Sequence, residues 1–266
     1  LEESLEVSRI HSVAGTLPED GILTSRPFRM PHHTVSASAL AGGGMVPHPG
    51  EISLAHRGIL YLDELPEFQK ETLEILRQPL EEAEIHISRS SGNYVFPADF
   101  MLVASRNPCK CGYYPNRSRC HCREDDVKRY LSRISRPLLD RIDLHVQSEE
   151  VRYQDLVNET KEECSADIRQ RVELAHKRQQ YRYRKAAWRF NSEIPASVLE
   201  EYCGFGKAEK ERMAYLFEKK HMTARAFHRM LRVARTIADI DGAEKVKVSH
   251  LDEAFLYRPD ELLERR

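Results

Sequence analysis

Two adjacent carboxylates, Asp63 and Glu64, follow an unbroken apolar run, Gly58-Ile59-Leu60-Tyr61-Leu62. A run this short suits a buried parallel strand. The reactive edge of an open α/β sheet lies at the carboxyl ends of its strands. There one carboxylate can hold Mg²⁺ through water, and its neighbour can polarise an attacking water. A merely solvated acid pair at a strand end fits the same residues. Farther on, Cys109-Lys110-Cys111 and Cys120-His121-Cys122 crowd four thiols together. Four thiolates suit one tetrahedral Zn²⁺ in a closed structural site. The C-x-C spacing is tighter than the usual C-x₂-C, and His121 could replace one thiol. Reduced free cysteines and a disulfide are the alternatives. Cys164 and Cys203 stand alone.

The elements that must position these residues follow from the surrounding pattern. Leu73, Leu76 and Leu80 share one face of a helix expected over 69–80. Alternation around Ser90-Ser91-Gly92-Asn93 predicts a β-hairpin over 85–96. Phe100–Ala104 is a second expected buried strand, and Ile142–Val146 a third. Strands separated by helices imply a parallel α/β sheet. Beyond residue 148 Gly and Pro thin out, and helices are expected over 165–187, 207–220, 223–240 and 250–257, the last capped by Ser249. Two domains result: 1–147, an α/β core with a Cys-rich insert at 108–123, and 148–266, helical. His32, His33, His48 and His56 match no compact metal motif and are expected in packing or hydrogen-bonding roles.

The 266 residues carry 41 Lys and Arg against 42 Asp and Glu, so a globally basic nucleic-acid binder is excluded. A local basic face is not. No stretch has the apolar length of a membrane span and no signal pattern opens the chain, so a cytoplasmic protein without a membrane partner is expected. Six cysteines are too few for a disulfide scaffold.

Ser105-Arg106-Asn107 ends the second expected strand, Asp140-Arg141 precedes the third, and Thr223-Ala224-Arg225 opens a helix. This ordered set resembles the AAA+ ATPases. Asp63 and Glu64 look like Walker B, Asn107 like sensor 1, Arg141 like an arginine finger and Arg225 like sensor 2. The stretches Arg29–Thr34, Ala41–Gly44 and Pro49–Gly58 are most similar to the magnesium-chelatase-related branch, and within it to the ComM (YifB) family. The match covers about 5–258. No G-x-x-x-x-G-K-[ST] occurs, so the chain is expected to start after the P-loop, to lack that strand of the sheet, and to bind no nucleotide alone.

The resemblance implies ATP and Mg²⁺ as cofactors and a ring, expected to be a hexamer, in which Arg141 reaches a neighbouring subunit. Asp63 and Arg225 would contact the nucleotide complex. The hairpin resembles a pre-sensor-1 insertion, with Arg89 and Ser91 near its tip able to touch a DNA backbone. Arg133 and Arg136 lie near the expected subunit interface that Arg141 reaches across. Residues 169–189 carry eight basic side chains, and Arg178, Arg182 and Lys185 fall on one helical stripe with Arg171 and Arg189. That stripe could bind DNA or be a solvated face. The implied function is a helicase-like ATPase for DNA remodelling or branch migration. A magnesium-chelatase-type subunit and a non-catalytic binding or oligomerisation module are the alternatives.

Overall fold

A computed structural model describes the chain except for residues 20, 91, 149–152, 154–156, 158–162, 220–221 and 259–266. It divides into two units, one over Leu1–Ile142 and one beginning at Asp143.

Among the described residues the first unit carries seven strands: β1 (Phe28–Arg29), β2 (Gly42–Gly43), β3 (His48–Pro49), β4 (Ile59–Leu62), β5 (Glu84–Arg89), β6 (Gly92–Pro97) and β7 (Met101–Ala104). Its helices are α1 (Glu2–Val13), α2 (Ala37–Ala41), α3 (Glu51–Leu54), α4 (Lys70–Glu74), α5 (Pro79–Glu82), α6 (Glu124–Leu131) and α7 (Arg136–Leu139). β1, β4 and β7 form a parallel sheet in the order β1-β4-β7. β4 is central because its alternate residues Leu60 and Leu62 are wholly buried against Ile52, Phe68, Leu73 and Leu138.

The entry to β4 is fixed from several sides. Gly58 has no Cβ, and one would run into the Pro27 carbonyl, which instead accepts the Ile59 N–H at 2.9 Å. Arg57 sits at φ 59°, left-handed for a non-glycine. Its N–H donates to the Asp99 carbonyl at 2.6 Å, and its guanidinium reaches Asp99 at 2.6 Å and Glu6 at 3.0 Å. His56 accepts the Asp99 N–H at Nδ1, so its proton sits on Nε2, 3.4 Å from Glu6. Burial holds its pKa below the ordinary value. His56 therefore takes the hydrogen-bonding role expected of it.

Three expectations need correction. The helix over 69–80 is broken into α4, a 3₁₀ turn at Ile75–Arg77, and α5. Pro79 has no N–H to give and its ring clashes with the carbonyl four residues back. Leu73 and Leu76 are nevertheless fully buried. β7 is not buried on both faces: Met101 and Val103, which share one face, are 63% and 38% exposed, while Leu102 on the other face packs against the core. Ile142–Val146 is not a strand. Its alternating pattern meets no ladder partner among the described residues; Leu144 and Val146 are exposed, and the His145 N–H donates to the Tyr257 carbonyl instead. The hairpin does form, with Ile85 and Ile87 turned into the core and Glu84, His86 and Ser88 outward.

The second unit is helical: α8 (Ser165–Tyr183), α9 (Leu199–Cys203), α10 (Lys207–Lys219), α11 (Ala224–Ile240) and α12 (Val248–Leu256). No helix among the described residues is long and apolar enough to cross a membrane. Thr223 caps α11 by accepting the Ala226 N–H at 3.2 Å. Ser249 does not cap α12, since that helix already begins at Val248. His250 satisfies the Lys247 N–H instead, at 3.0 Å. Met230, Leu231, Ala234 and Ala238 of α11 form the centre of the core.

Asp239, wholly buried on α11, would be a costly lone charge. It accepts from Arg235 at 3.0 Å, from Asn191 at 2.9 Å and from both Nη atoms of Arg182. Breaking a buried pair by removing one partner costs roughly 3–5 kcal/mol. Asp239→Ala is therefore expected to destabilise this unit by about that amount, read as a lower urea midpoint. An unchanged midpoint contradicts the assigned role.

Candidate functional site

Parallel pairing of β4 and β7 sets Leu62 opposite Ala104, so Asp63 and Ser105 leave the sheet side by side. The chain stays paired past the strand ends: Ser105 N–H donates to the Leu62 carbonyl at 3.0 Å, and Leu65 N–H to the Ser105 carbonyl at 2.9 Å. The Ser105 hydroxyl donates to Asp63 Oδ1. The Glu64 N–H donates to the same Oδ1 at 3.0 Å and lies 3.2 Å from Ser105 Oγ. Glu64 adopts φ 52°, a left-handed conformation that a non-glycine holds only when its surroundings impose it. Here two acceptors on the neighbouring strand ends impose it.

Asp63 and Glu64 are exposed, as is Asn107, two residues beyond Ser105. Among the described residues every hydrogen bond to Asp63 goes to Oδ1, which leaves Oδ2 available to a ligand. A rigidly held, water-accessible carboxylate with one open oxygen suits a hydrated Mg²⁺, which keeps several waters and takes one or two carboxylates. Glu64 Oε2 lies 3.6 Å from His33 Nδ1. His33 stacks on His32 with ring centroids 4.0 Å apart and meets the edge of Phe68. Neither Ser105 nor His33 was singled out from sequence as part of a site. Ser105 carried a usable signal, being the first polar residue after an expected strand. His33 carried none, because its contact with Glu64 is purely tertiary.

Arg141, expected to reach a neighbouring subunit, is 8% exposed within this chain. Its guanidinium donates to Glu81 at 2.6 Å and to the carbonyls of Pro137 at 2.6 Å and Arg77 at 3.1 Å. It ties α5 and the preceding turn to α7. Arg133 is half-buried, donating to the Pro66 carbonyl at 2.9 Å, whereas Arg136 is exposed. Arg225 is exposed in the first turn of α11, in the second unit.

Arg89 ends β5, exposed, with Nη1 donating to the Ser88 carbonyl at 3.2 Å. Ser91 lies outside the described residues. The basic stripe is also corrected. Arg178 donates to the Asp239 carbonyl at 2.5 Å while staying exposed, and the half-buried Arg182 binds the Asp239 carboxylate of its own unit. Burial resists the charge on Arg182, but the Asp239 hydrogen bonds win and raise its pKa. α8 ends at Tyr183, which leaves Lys185 beyond the helix and exposed.

The four cysteines do gather. Their Sγ atoms all lie within 4.8 Å of one another, a group that could hold a metal ion. Hydrogen bonds from the Tyr113 backbone and the Cys109 thiol pull the Cys111 thiol down to about 6.

A parallel sheet with an acidic strand end, a polar residue on the next strand, a hairpin between the two and a following helical unit is the AAA+ architecture with its helical lid. The chain belongs to the magnesium chelatase ChlI family: residues 1–156 match Magnesium chelatase, subunit ChlI, and residues 162–258 match its C-terminal part. It is 41% identical to Uncharacterized protein YifB of Salmonella typhimurium over 97% of this chain and 50% of that protein. It is also 41% identical to Competence protein ComM of Haemophilus influenzae, over 88% of this chain and 45% of the relative. A Magnesium-chelatase 67 kDa subunit of Chlorobaculum parvum matches 27% of the chain at 32% identity. The chain thus spans about half the length of the YifB and ComM relatives.

The internal role of Arg141 has a measurable consequence. Arg141→Ala strands the Glu81 carboxylate and two carbonyls, and each lost charge-assisted bond is worth about 1.5–3 kcal/mol. A clear drop in the urea midpoint is expected. A solvent-directed finger would leave the midpoint where it is.

Proposed function

We propose that this chain supplies the water-activating edge, the sensors and the lid of a ring-forming, ATP-hydrolysing motor that acts on DNA. The observation that carries the hydrolytic part is the juxtaposition of Asp63, Glu64 and Ser105 at the carboxyl edge of β4 and β7. Phosphoryl transfer depends mostly on positioning and charge neutralisation. Bound Mg²⁺ supplies the charge neutralisation. Asp63 would hold it, with Ser105 fixing the Asp63 carboxylate through a hydrogen bond to Oδ1. Glu64 accepts the proton of the attacking water, and Asn107 aligns that water. Arg225, in the first turn of α11, is the nucleotide-sensing residue that the family resemblance implies. The Lys and backbone N–H groups that cradle phosphates come from a segment outside these 266 residues. Its strand has a place to pair, since β7 is an edge strand among the described residues.

The DNA part rests on two supports. The β5–β6 hairpin presents an exposed Arg89 near its tip, suited to a phosphate backbone and not to base reading. A relative covering most of this chain is named Competence protein ComM. The family match favours a second reading, an ATPase subunit of magnesium-chelatase type. DNA-stimulated hydrolysis separates the two, and Arg89→Ala is expected to lower that stimulation while leaving DNA-independent turnover intact.

In a longer chain that carries the G-x-x-x-x-G-K-[ST] segment, Glu64→Gln is expected to keep ATP binding and lose most hydrolysis, because an amide cannot take the proton. Near-normal turnover rejects the assignment. Ser105→Ala is expected to weaken activity by about 10–100-fold, the usual cost of losing a partner that orients a metal ligand. Full activity at limiting Mg²⁺ removes Ser105 from the site.

A further inference from the structure

Residues 105–123 join β7 to α6 without helix or strand. Connections longer than about 12–15 residues with no secondary structure are uncommon in compact domains. The apolar material available to hold this one is slight: Cys109, Cys120 and Val127 are buried, with Tyr114, Cys122 and Leu131 partly buried around them. Backbone turns do the rest. Gly112 N–H donates to the Cys109 carbonyl at 3.0 Å, Asn116 N–H to Tyr113 at 2.8 Å, and Cys120 N–H to Asn116 at 2.8 Å. These turns fold the segment back so that the two C-x-C pairs meet.

The sulfur spacing identifies what the pairs meet around. Cys109 and Cys111 Sγ are 3.3 Å apart, Cys111 and Cys120 3.6 Å, and Cys109 and Cys120 3.8 Å. A tetrahedron with Zn–S bonds of about 2.3 Å places its sulfurs about 3.8 Å apart. A disulfide needs about 2.0 Å, and all four cysteines are free thiols. Charge points the same way. Four thiolates around one divalent ion leave a net double negative charge. The stretch 108–123 carries Lys110, Arg117, Arg119 and Arg123 and no Asp or Glu, and Arg117 donates to the Cys122 carbonyl at 2.8 Å while also pairing with Glu124. Soft thiolate donors select zinc over Mg²⁺ or Ca²⁺.

We propose that Cys109, Cys111, Cys120 and Cys122 bind one Zn²⁺ as a closed structural centre that anchors the segment carrying Asn107. Binding releases the remaining thiol protons to solvent. All four positions are filled by protein, so the ion has no open site for substrate. The centre is independent of the ATPase reading, and its test does not involve ATP.

Protein purified under reducing conditions without chelator is expected to contain about one zinc per chain, as four ligands fill one tetrahedral site. Replacement by Co²⁺ is expected to give the intense visible bands of a tetrahedral thiolate complex. Cys111→Ser and Cys122→Ser lose the metal, whereas Cys164→Ser, outside the cluster, keeps it. Stripping zinc from the intact protein opens 105–123 to protease while α11 stays protected, a readout that survives even if the serine variants fail to fold. Metal-free protein that takes up no added Zn²⁺ overturns the proposal. So does iron in place of zinc, a disulfide within the cluster, or unchanged protease cutting after zinc removal.

Discussion

The candidate site depends on one pairing: β4 and β7 side by side, parallel, in the register that sets Leu62 against Ala104. Without it Asp63 has no hydroxyl to fix it, and Glu64 has no reason to hold a left-handed backbone. The pairing is set from below and above. Gly58, Arg57 and Asp99 lock the entry to β4. The bonds from Ser105 to Leu62 and from Leu65 to Ser105 carry the pairing past the strand ends. A local sequence of two acids thereby becomes a geometry in which one carboxylate is held and the other is free to act.

Much of this was legible in the residues. A short apolar run closed by Asp63-Glu64 reads as a buried strand with a reactive end, and the period-2 pattern of 85–96 reads as a hairpin. Both formed. The resemblance carried by Asp63, Glu64, Asn107, Arg141 and Arg225 matches the family to which the chain belongs. What could not be read was tertiary. Ile142–Val146 has a strand's alternation but no ladder partner among the described residues. Nothing local announces that Asp239 is buried, yet its carboxylate holds Arg182, and its main-chain carbonyl accepts from the exposed Arg178. Arg141 is held in the same way by Glu81 and two carbonyls.

These corrections share a cause. Arginine binds carboxylates and carbonyls well, so a long basic side chain is recruited wherever burial leaves an acceptor unpaired. Spacing along a helix tells which residues share a face, and it does not tell what that face meets. Cysteine behaves differently here. The two C-x-C pairs lie close in sequence, and short turns suffice to bring them together. The cluster was therefore visible from spacing, while its sulfur distances needed the fold.

The claim at the centre is that Asp63, steadied by Ser105, engages the metal of a bound nucleotide. Its most direct test compares ATP hydrolysis by wild type and Asp63→Asn across a Mg²⁺ titration, in a chain that includes the phosphate-binding loop. The account predicts turnover that is lost in the variant, with recovery, if any, only at much higher Mg²⁺. Turnover with the same Mg²⁺ dependence in both proteins contradicts it.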